Sequence, residues 1–327
     1  MIRNRSRRAP FLALVAASWP LLLGGCVSID LFGGLPKPLV EKVVYGETGP
    51  KILMLQVEGM IREGSGARSM LGFAEEGMLA RLREELDRAR EDDEIRAILL
   101  RINSPGGTVT ASDILYHEIL RFKREQKIPV IAQLMGVAAS GGYYVAMAAD
   151  EIVAHPTTVT GSIGVIWANV NIAGLMEKFG IEDQTIRTGP FKDAGSMLRP
   201  MRPEERAQLQ SVLNDMFNRF KEVVGRGRRE LSSKQIDELA DGRIFSAKQA
   251  LENGLVDAVG SLEDAVERAQ TRAGIGKSRV VTYHRPDEYR QNLYTRMPPV
   301  EIALRLPSPW PEIRGPAFLY LWSPGSY

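Results

Sequence analysis

The chain has 327 residues, 44% of them apolar and 25% charged, which is enough apolar content for a large core in one or two domains. Its formal net charge is +2, and the arginines near 226–229 predict a solvated helix end, so no nucleic-acid partner is expected. The single cysteine excludes a disulfide within one chain, and folding must therefore rely on the core.

Residues 1–25 predict an export signal. Four arginines precede an apolar run from Phe11 to Leu23, and Pro20 interrupts that run. The run is short for a transmembrane helix, and a basic start followed by such a run is typical of a signal for export. Removing this segment takes away four arginines and no acidic residue, so the net charge changes from +2 to −2.

Cys26 directly follows Gly24 and Gly25. Small residues before a cysteine resemble the lipobox of bacterial lipoproteins, and the resemblance implies that the Cys26 thiol is lipidated after residues 1–25 are removed. Several acyl chains on one residue give a stable membrane anchor. We therefore expect attachment to a lipid bilayer of the cell envelope, with the rest of the chain outside the cytoplasm. The alternatives are an ordinary signal with a chance cysteine and a short signal-anchor.

Beyond this start, apolar runs typical of buried strands alternate with segments of helical periodicity. The alternation predicts an α/β domain of parallel strands covered by helices. Strands are predicted at 51–57, 97–102, 129–134 and 151–154, and helices at 75–91, after the N-cap candidate Ser112, and from the Ser140 loop to about Ala149.

The second half of the chain is mainly helical in pattern. A helix that opens at Pro203 carries one apolar stripe, and Gly225 is its predicted end. Further helices are predicted from Phe245 to Gly254 and from Leu262 to Ala273. The predicted segments are a signal at 1–25, a tether at 26–49, a folded domain at 50–275 and a proline- and aromatic-rich tail at 276–327, poorly ordered or docked on a surface.

Two loops carry the residue types of a hydrolase. The first, Gly136–Gly142, places Ser140 among small residues, and the second, Thr188–Lys192, ends in a lysine. A serine hydroxyl needs a base to become a nucleophile, and a lysine can be that base when apolar burial favours its neutral amine. Taken alone, Lys192 is equally consistent with a solvated lysine paired with Asp193.

Histidine is the usual base, and the chain has His117, His155 and His284. His155, 15 residues after Ser140, is the only serious triad candidate among them. Its simpler interpretation is a polar cap at a strand end before Pro156.

A third loop, Asn103-Ser-Pro-Gly-Gly107, supplies backbone N–H groups that a ligand can approach closely. N–H groups aimed at developing negative charge form an oxyanion hole. The N–H groups of Gly107 and Gly141 are the natural donors. Taken alone, this loop is a turn that joins a strand to a helix.

Four segments together resemble the bacterial signal peptide peptidase family in its short, single-copy form. They occur in the order Asn103–Gly107, Gly136–Tyr144, Thr160–Gly164 and Thr188–Lys192. The likeness runs from about residue 50 to about residue 275. The first two segments also resemble the Clp protease and crotonase relatives, which share the fold.

The resemblance implies a crotonase/Clp-like ββα superhelix with additional C-terminal helices. It implies Ser140 as the nucleophile, Lys192 as the general base and Ser162 as a hydrogen-bonding helper of the amine. It also implies Gly107 and Gly141 as the oxyanion donors.

The resemblance further implies a membrane-attached serine endopeptidase that degrades cleaved signal peptides or other exported peptides through their apolar segments. Family members assemble as rings or domes with sites between neighbouring units, so a homo-oligomer is expected. Whether Ser140 meets Lys192 of its own chain or of a neighbour stays open. Many members are held by a transmembrane helix, and the lipobox-like start departs from that pattern.

Two other classes of function stay open. A crotonase-like acyl-thioester enzyme would use the same oxyanion loop, although the export signal disfavours it. A non-catalytic lipoprotein scaffold would need neither Ser140 nor Lys192. The Ser–Lys mechanism needs no metal or cofactor, and the sequence has no His/Cys cluster with metal-ligand spacing.

Overall fold

The structure, a computed structural model, describes residues 38–64, 77–286, 292–294 and 318–322. The predicted export signal and Cys26 lie outside the described residues. Within them the strands are β1 (Val40–Tyr45), β2 (Lys51–Glu58), β3 (Ile95–Ser104), β4 (Gly106–Thr108), β5 (Val130–Ala139), β6 (Glu151–Ala154), β7 (Val159–Gly161), β8 (Ile166–Trp167), β9 (Ile244–Ser246), β10 (Ala258–Val259), β11 (Arg279–His284) and β12 (Phe318–Leu321). The helices are α1 (Met78–Ala89), α2 (Val109–Gln126), α3 (Gly141–Ala146), α4 (Ala173–Lys178), α5 (Pro203–Gly227), α6 (Ser233–Leu239), α7 (Ala247–Glu252) and α8 (Leu262–Ala273).

A mostly parallel sheet forms the centre of this part of the chain. Its strand order is β1-β11-β2-β3-β5-β6-β10, in which β1 runs antiparallel to β11 and the other neighbours are parallel. Past the residues that pair with β6, the carboxyl end of β5 pairs in parallel with β7, and β7 pairs antiparallel with β9. A second, antiparallel sheet has the order β4-β12-β8.

The central strands are buried on both faces, which explains their continuous apolar sequences. In β2, Leu53 and Leu55 belong to one core, whereas Ile52 and Met54 belong to the other. Helices α1, α2, α3 and α5 contribute to the first core, and α8 covers the second. The predicted α/β arrangement of parallel strands between helices is confirmed.

Two helix starts differ from the prediction. Helix α2 begins at Val109, because the Thr108 side chain accepts a hydrogen bond from the Ala111 N–H at 3.2 Å. Thr108 has the extended backbone of an N-cap, whereas the predicted cap Ser112 lies in the first turn. Residue Phe245 belongs to β9 rather than to a helix, and Ser246 caps α7.

The sheet extends beyond both predicted bounds of the folded domain. Strand β1 lies in the predicted tether, and β11, which follows residue 275, sits between β1 and β2. Strand β12 comes from the predicted tail and is the central strand of the small sheet. Helix α5 also continues past Gly225 to Gly227, whereas α8 has its predicted bounds.

Candidate active site

Three of the four sequence segments meet at one edge of the central sheet. Strand β3 ends three residues before Gly107, and β5 and β7 end directly before Ser140 and Ser162. The register pairs Ala139 with Gly161, so the two serines directly follow paired positions on neighbouring strands. The carboxyl ends of parallel strands are where ligand sites of α/β proteins usually form.

Ser140 occupies a strained turn between β5 and α3. Its φ is 52° and its ψ is −117°, a conformation that costs energy for a residue with a side chain. The Ser140 N–H donates to the Gly161 carbonyl at 2.7 Å, and the Ser140 carbonyl accepts from the Tyr144 N–H at 2.8 Å. A serine held on a sharp strand–helix turn is the arrangement of the nucleophile elbow in α/β-hydrolases.

The glycines beside Ser140 allow backbone to approach backbone. A Cβ on Gly106 would lie 2.7 Å from the Gly141 nitrogen, and a Cβ on Gly141 would lie 3.1 Å from the Gly107 nitrogen. Gly106 also has a φ of 102°, which L side chains rarely adopt. The N–H groups of Gly107 and Gly141 therefore lie within a few ångströms of each other, next to the Ser140 backbone.

Side chains missed by sequence reasoning hold these loops in place. The Ser104 hydroxyl donates to the Gly59 carbonyl at 2.6 Å and accepts from the Gly106 N–H at 3.1 Å. The Asn103 side-chain oxygen accepts from the Val137 N–H at 3.2 Å. The polar residues of Asn103-Ser-Pro-Gly-Gly107 thus bind β3 to its neighbours, a role that the loop sequence alone does not distinguish from a turn.

Lys192 makes no hydrogen bond to Ser140 within the described chain. Its side chain is exposed, and among the described residues it takes part in no hydrogen bond or ion pair. It lies in the stretch from Asn169 to Pro200, which leaves many apolar side chains uncovered. Those exposed by more than 40% are Val170, Leu175, Phe179, Ile181, Ile186, Phe191 and Met197.

Asp193 is paired with arginines and not with Lys192. Its carboxylate accepts from Arg187 and, at 2.8 Å, from the Arg199 Nε. The hydrogen bond from Arg199, with the charges of both arginines, holds the pKa of the Asp193 carboxyl well below its usual range. The interpretation of Lys192 as the ion-pair partner of Asp193 is therefore wrong within this chain.

The His155 side chain makes hydrogen bonds within its own turn. Its Nδ1 lies 2.9 Å from the Thr157 hydroxyl and accepts from the Thr157 N–H at 3.3 Å, and its backbone N–H donates to Leu134 at 2.9 Å. Within the described residues its ring makes no hydrogen bond to Ser140. These contacts match the strand-end cap rather than a triad base.

Strand β12 lies between β4, which contains Gly107, and β8. Tyr320 is paired with Gly107 of β4, and Leu319 with Ile166 of β8, both antiparallel. The carbonyl oxygen of Tyr320 approaches the Gly106 backbone so closely that a Cβ on Gly106 would lie 1.9 Å from it. A segment of the tail thus runs beside the two N–H donors as an added strand.

Aromatic packing fixes β12. The Tyr320 ring is fully buried, stacks on Tyr144 with 5.1 Å between ring centroids, and packs on Phe220 at 4.6 Å. Its hydroxyl donates to the Met216 carbonyl at 2.8 Å. Tyr144 follows Ser140 by one helical turn, so the tail packs directly on the helix that begins at the candidate nucleophile.

Two cavities lie along α5. One of about 590 Å³ begins at Ser162 and lies between the loop to β8, α5 and Trp322. The other, of about 450 Å³, is lined by Trp167 and the first turns of α5. Gln210 and Leu213 line both, so the cavities adjoin. Of the predicted apolar stripe of α5, Leu209 and Leu213 are half-buried and line these spaces.

The fold, with Gly107, Ser140 and Ser162 at the carboxyl ends of its parallel strands, defines a class of protein: a peptidase with a Clp-like α/β domain. The family model described as Clp protease matches residues 73–160, and that described as peptidase family S49 matches residues 122–276. The chain belongs to peptidase family S49, the signal peptide peptidase family within the Clp/crotonase-like superfamily. It is a serine peptidase acting on peptides, and the predicted family and fold class are confirmed.

Three relatives carry names that agree with this family. A protein of Synechocystis sp. named as a protease is 43% identical over 190 residues, which is 58% of this chain and 68% of that one. A protein of Enterococcus faecium named as the signal peptide peptidase SppA is 35% identical over 253 residues, 77% of this chain and 72% of that one. The chloroplastic serine protease SPPA of Arabidopsis thaliana is 37% identical over 246 residues, 74% of this chain and 36% of that one.

The described residues contain no helix that is long and apolar enough to cross a membrane. The lipobox-like Cys26 lies outside them, so anchoring stays a prediction from the sequence.

Proposed function

We propose that the chain is a lipid-anchored serine endopeptidase of the cell envelope, which uses a Ser140–Lys192 dyad to degrade cleaved signal peptides and other exported peptides. The observation that carries the proposal is Ser140 in a strained strand–helix turn, beside the N–H groups of Gly107 and Gly141. Attachment through Cys26 is supported by the lipobox-like sequence alone.

In the proposed mechanism, Lys192 takes the proton of Ser140 as the hydroxyl attacks the peptide carbonyl. The N–H groups of Gly107 and Gly141 stabilise the negative charge that develops on the carbonyl oxygen. The lysine then donates the proton to the leaving amine, and water hydrolyses the acyl-enzyme through the same groups. Ser162, which directly follows Gly161 as Ser140 follows its paired residue Ala139, helps to orient the amine.

We propose that the Lys192 acting on one Ser140 comes from a neighbouring subunit of a homo-oligomeric ring. Lys192 is exposed and unpaired among the described residues, and the stretch around it leaves apolar side chains in water. Large uncovered apolar surfaces mark interfaces between proteins. A neighbour that covers this stretch would also bury the amine, which favours the neutral form that a base needs.

We propose that substrates bind as an extended strand between β4 and β8. Strand β12 supports this mode, because it pairs with both strands through its backbone. Strand addition gives affinity through main-chain hydrogen bonds, while pockets for alternate side chains give specificity. The half-buried apolar residues Leu213 and Phe217 line the cavity near Ser162, which suits the apolar core of a cleaved signal peptide.

The test compares hydrolysis of an apolar fluorogenic peptide by Ser140→Ala, Lys192→Ala and Lys248→Ala. We expect the first two to lose roughly 10⁴-fold or more in kcat/KM with unchanged melting temperatures, since removing a nucleophile or its base removes the chemical step. Lys248 is an exposed lysine on α7, so its variant should keep full activity.

A serine-reactive phosphonate should label the wild type and fail to label Ser140→Ala. Full hydrolysis by Lys192→Ala together with loss in His155→Ala would favour a Clp-like triad instead. Labelling that persists in Ser140→Ala would reject this serine as the nucleophile.

A further inference from the structure

Two arginines fasten the turn that carries Lys192, one on each side of the lysine. Arg202 donates to the carbonyl oxygen of Pro190, two residues before Lys192. Arg199 donates to the Asp193 carboxylate, one residue after it, with 2.8 Å between Nε and Oδ2, and also to the Asp193 carbonyl at 3.3 Å. The backbone on both sides of the lysine is therefore tied to the start of α5.

One buried carboxylate holds both arginines. The Glu205 side chain is fully buried in the first turn of α5. It accepts from the Arg199 Nη1 at 2.9 Å and from the Arg202 Nε at 3.0 Å. The hydrogen bonds from Arg199 and Arg202 lower the pKa of Glu205 to about 2, so this carboxylate is ionised at neutral pH.

The charges around Asp193 come from its own segment and from the start of α5. Its own segment contributes Arg187, which pairs with it, and Asp183, whose charge is nearby. The α5 side contributes Arg199 directly, with Arg202 and Glu205 behind it. The second carboxylate oxygen of Asp193, Oδ1, is buried and has no hydrogen-bond partner among the residues that the structure describes. The negative charge next to Lys192 is thus engaged by guanidinium groups.

Building on the proposed dyad, we propose that Arg199, held by Glu205, is a positioning residue that fixes the Lys192 turn and withholds the Asp193 carboxylate from the Lys192 amine. A lysine must be neutral to accept the proton of a serine. A carboxylate free to pair with that lysine would favour the ammonium form and remove the base. Asp193 is compatible with an adjacent lysine base because its carboxylate is already paired with two arginines.

The test measures kcat/KM of the full chain against pH on an apolar fluorogenic peptide. Activity rises with pH as the base becomes neutral. In Arg199→Met the Asp193 carboxylate is partly released to the lysine, so the midpoint of this rise should move to higher pH by about one unit. Arg199→Lys keeps a positive partner for Asp193 and should return the midpoint most of the way.

The matched control is Arg272→Met. Arg272 pairs with Glu151 at 3.0 Å, and a second arginine, Arg268, binds the same carboxylate. This cluster has the same chemistry on α8 and β6, away from the Lys192 turn, so its loss should leave the pH profile unchanged.

Arg187→Met removes the other partner of Asp193 and covers the case in which Arg199→Met fails to fold. It should shift the midpoint in the same direction. An unchanged midpoint in the folded variants overturns the inference. Failure of the dyad has a different signature, because Lys192→Ala would then stay active, whereas failure of this inference alone leaves Lys192→Ala inactive.

Discussion

At the residue scale, Gly141 is a crowded position of the candidate site. A Cβ there would lie 2.4 Å from the Ser112 hydroxyl oxygen and 3.1 Å from the Gly107 nitrogen. The first contact concerns only packing, whereas the second concerns the proposed oxyanion donors. The two contacts can be separated, because the first ends in a side chain that can be removed.

We predict that Gly141→Ala lowers kcat by about 10²–10³-fold, the cost of losing one oxyanion donor. The double variant Gly141→Ala/Ser112→Ala should regain the melting temperature of the wild type but not its kcat. Steady-state kinetics and thermal unfolding of both variants measure this. Recovery of kcat in the double variant would assign the loss to packing and would contradict the role of the two N–H groups.

The residues at the carboxyl ends of β3, β5 and β7 could be predicted from the sequence. The backbone strain at Ser140 and the pairing of Asp193 could not. Ser140, Gly107 and Ser162 follow apolar strands within one to three residues, and a parallel sheet brings the ends of such strands together. The left-handed φ of Ser140 occurs together with a hydrogen bond to the Gly161 carbonyl, which lies 21 residues further along the chain. The pairing of Asp193 with Arg199 could not be predicted either, because the sequence places Lys192 directly beside Asp193 as a simpler partner.

At the element scale, β12 occupies the strand position that the proposed substrate would take. It pairs with both β4 and β8, and Tyr320 anchors it in an aromatic cluster with Tyr144 and Phe220. A peptide that binds between β4 and β8 must displace it. Under the proposed binding mode, the tail strand would therefore compete with substrate.

We predict that deletion of residues 318–327 lowers KM for an apolar peptide. If β12 occupies the position between β4 and β8 about nine-tenths of the time, the decrease in KM is roughly tenfold. Only the fraction of molecules in which this position is empty binds substrate. Deletion of 323–327, which leaves β12 in place, is the control and should keep the KM of the wild type. A loss of activity on removing β12, with the control unaffected, would make the strand a structural part of the site.

Elements with local signals could be predicted, and those that depend on distant pairing could not. Helix α8 has apolar residues at helical spacing and a serine cap, and its bounds match the prediction. Strand β12 has only four residues in a proline- and aromatic-rich tail, and its partners lie about 150 and 210 residues earlier. Strand β1 was hidden by the glycines and prolines that surround it.

At the scale of the whole molecule, one described chain contains the serine and its N–H donors but leaves the lysine exposed. The stretch from Asn169 to Pro200 carries both Lys192 and apolar side chains such as Ile186, which is 98% exposed. The sequence predicted both residues of the proposed dyad but left open which chain each belongs to. A single chain supplies no partner surface, so this question belongs to the assembly.

The most direct test of the central claim mixes Ser140→Ala with Lys192→Ala after dissociating and reassociating the subunits. Each variant alone should be inactive. In an equal mixture, about one site in four combines an intact Ser140 from one subunit with an intact Lys192 from its neighbour, so about a quarter of wild-type activity should return. Mixed assemblies, verified by co-purification through two different tags, that stay inactive would contradict a dyad shared between subunits.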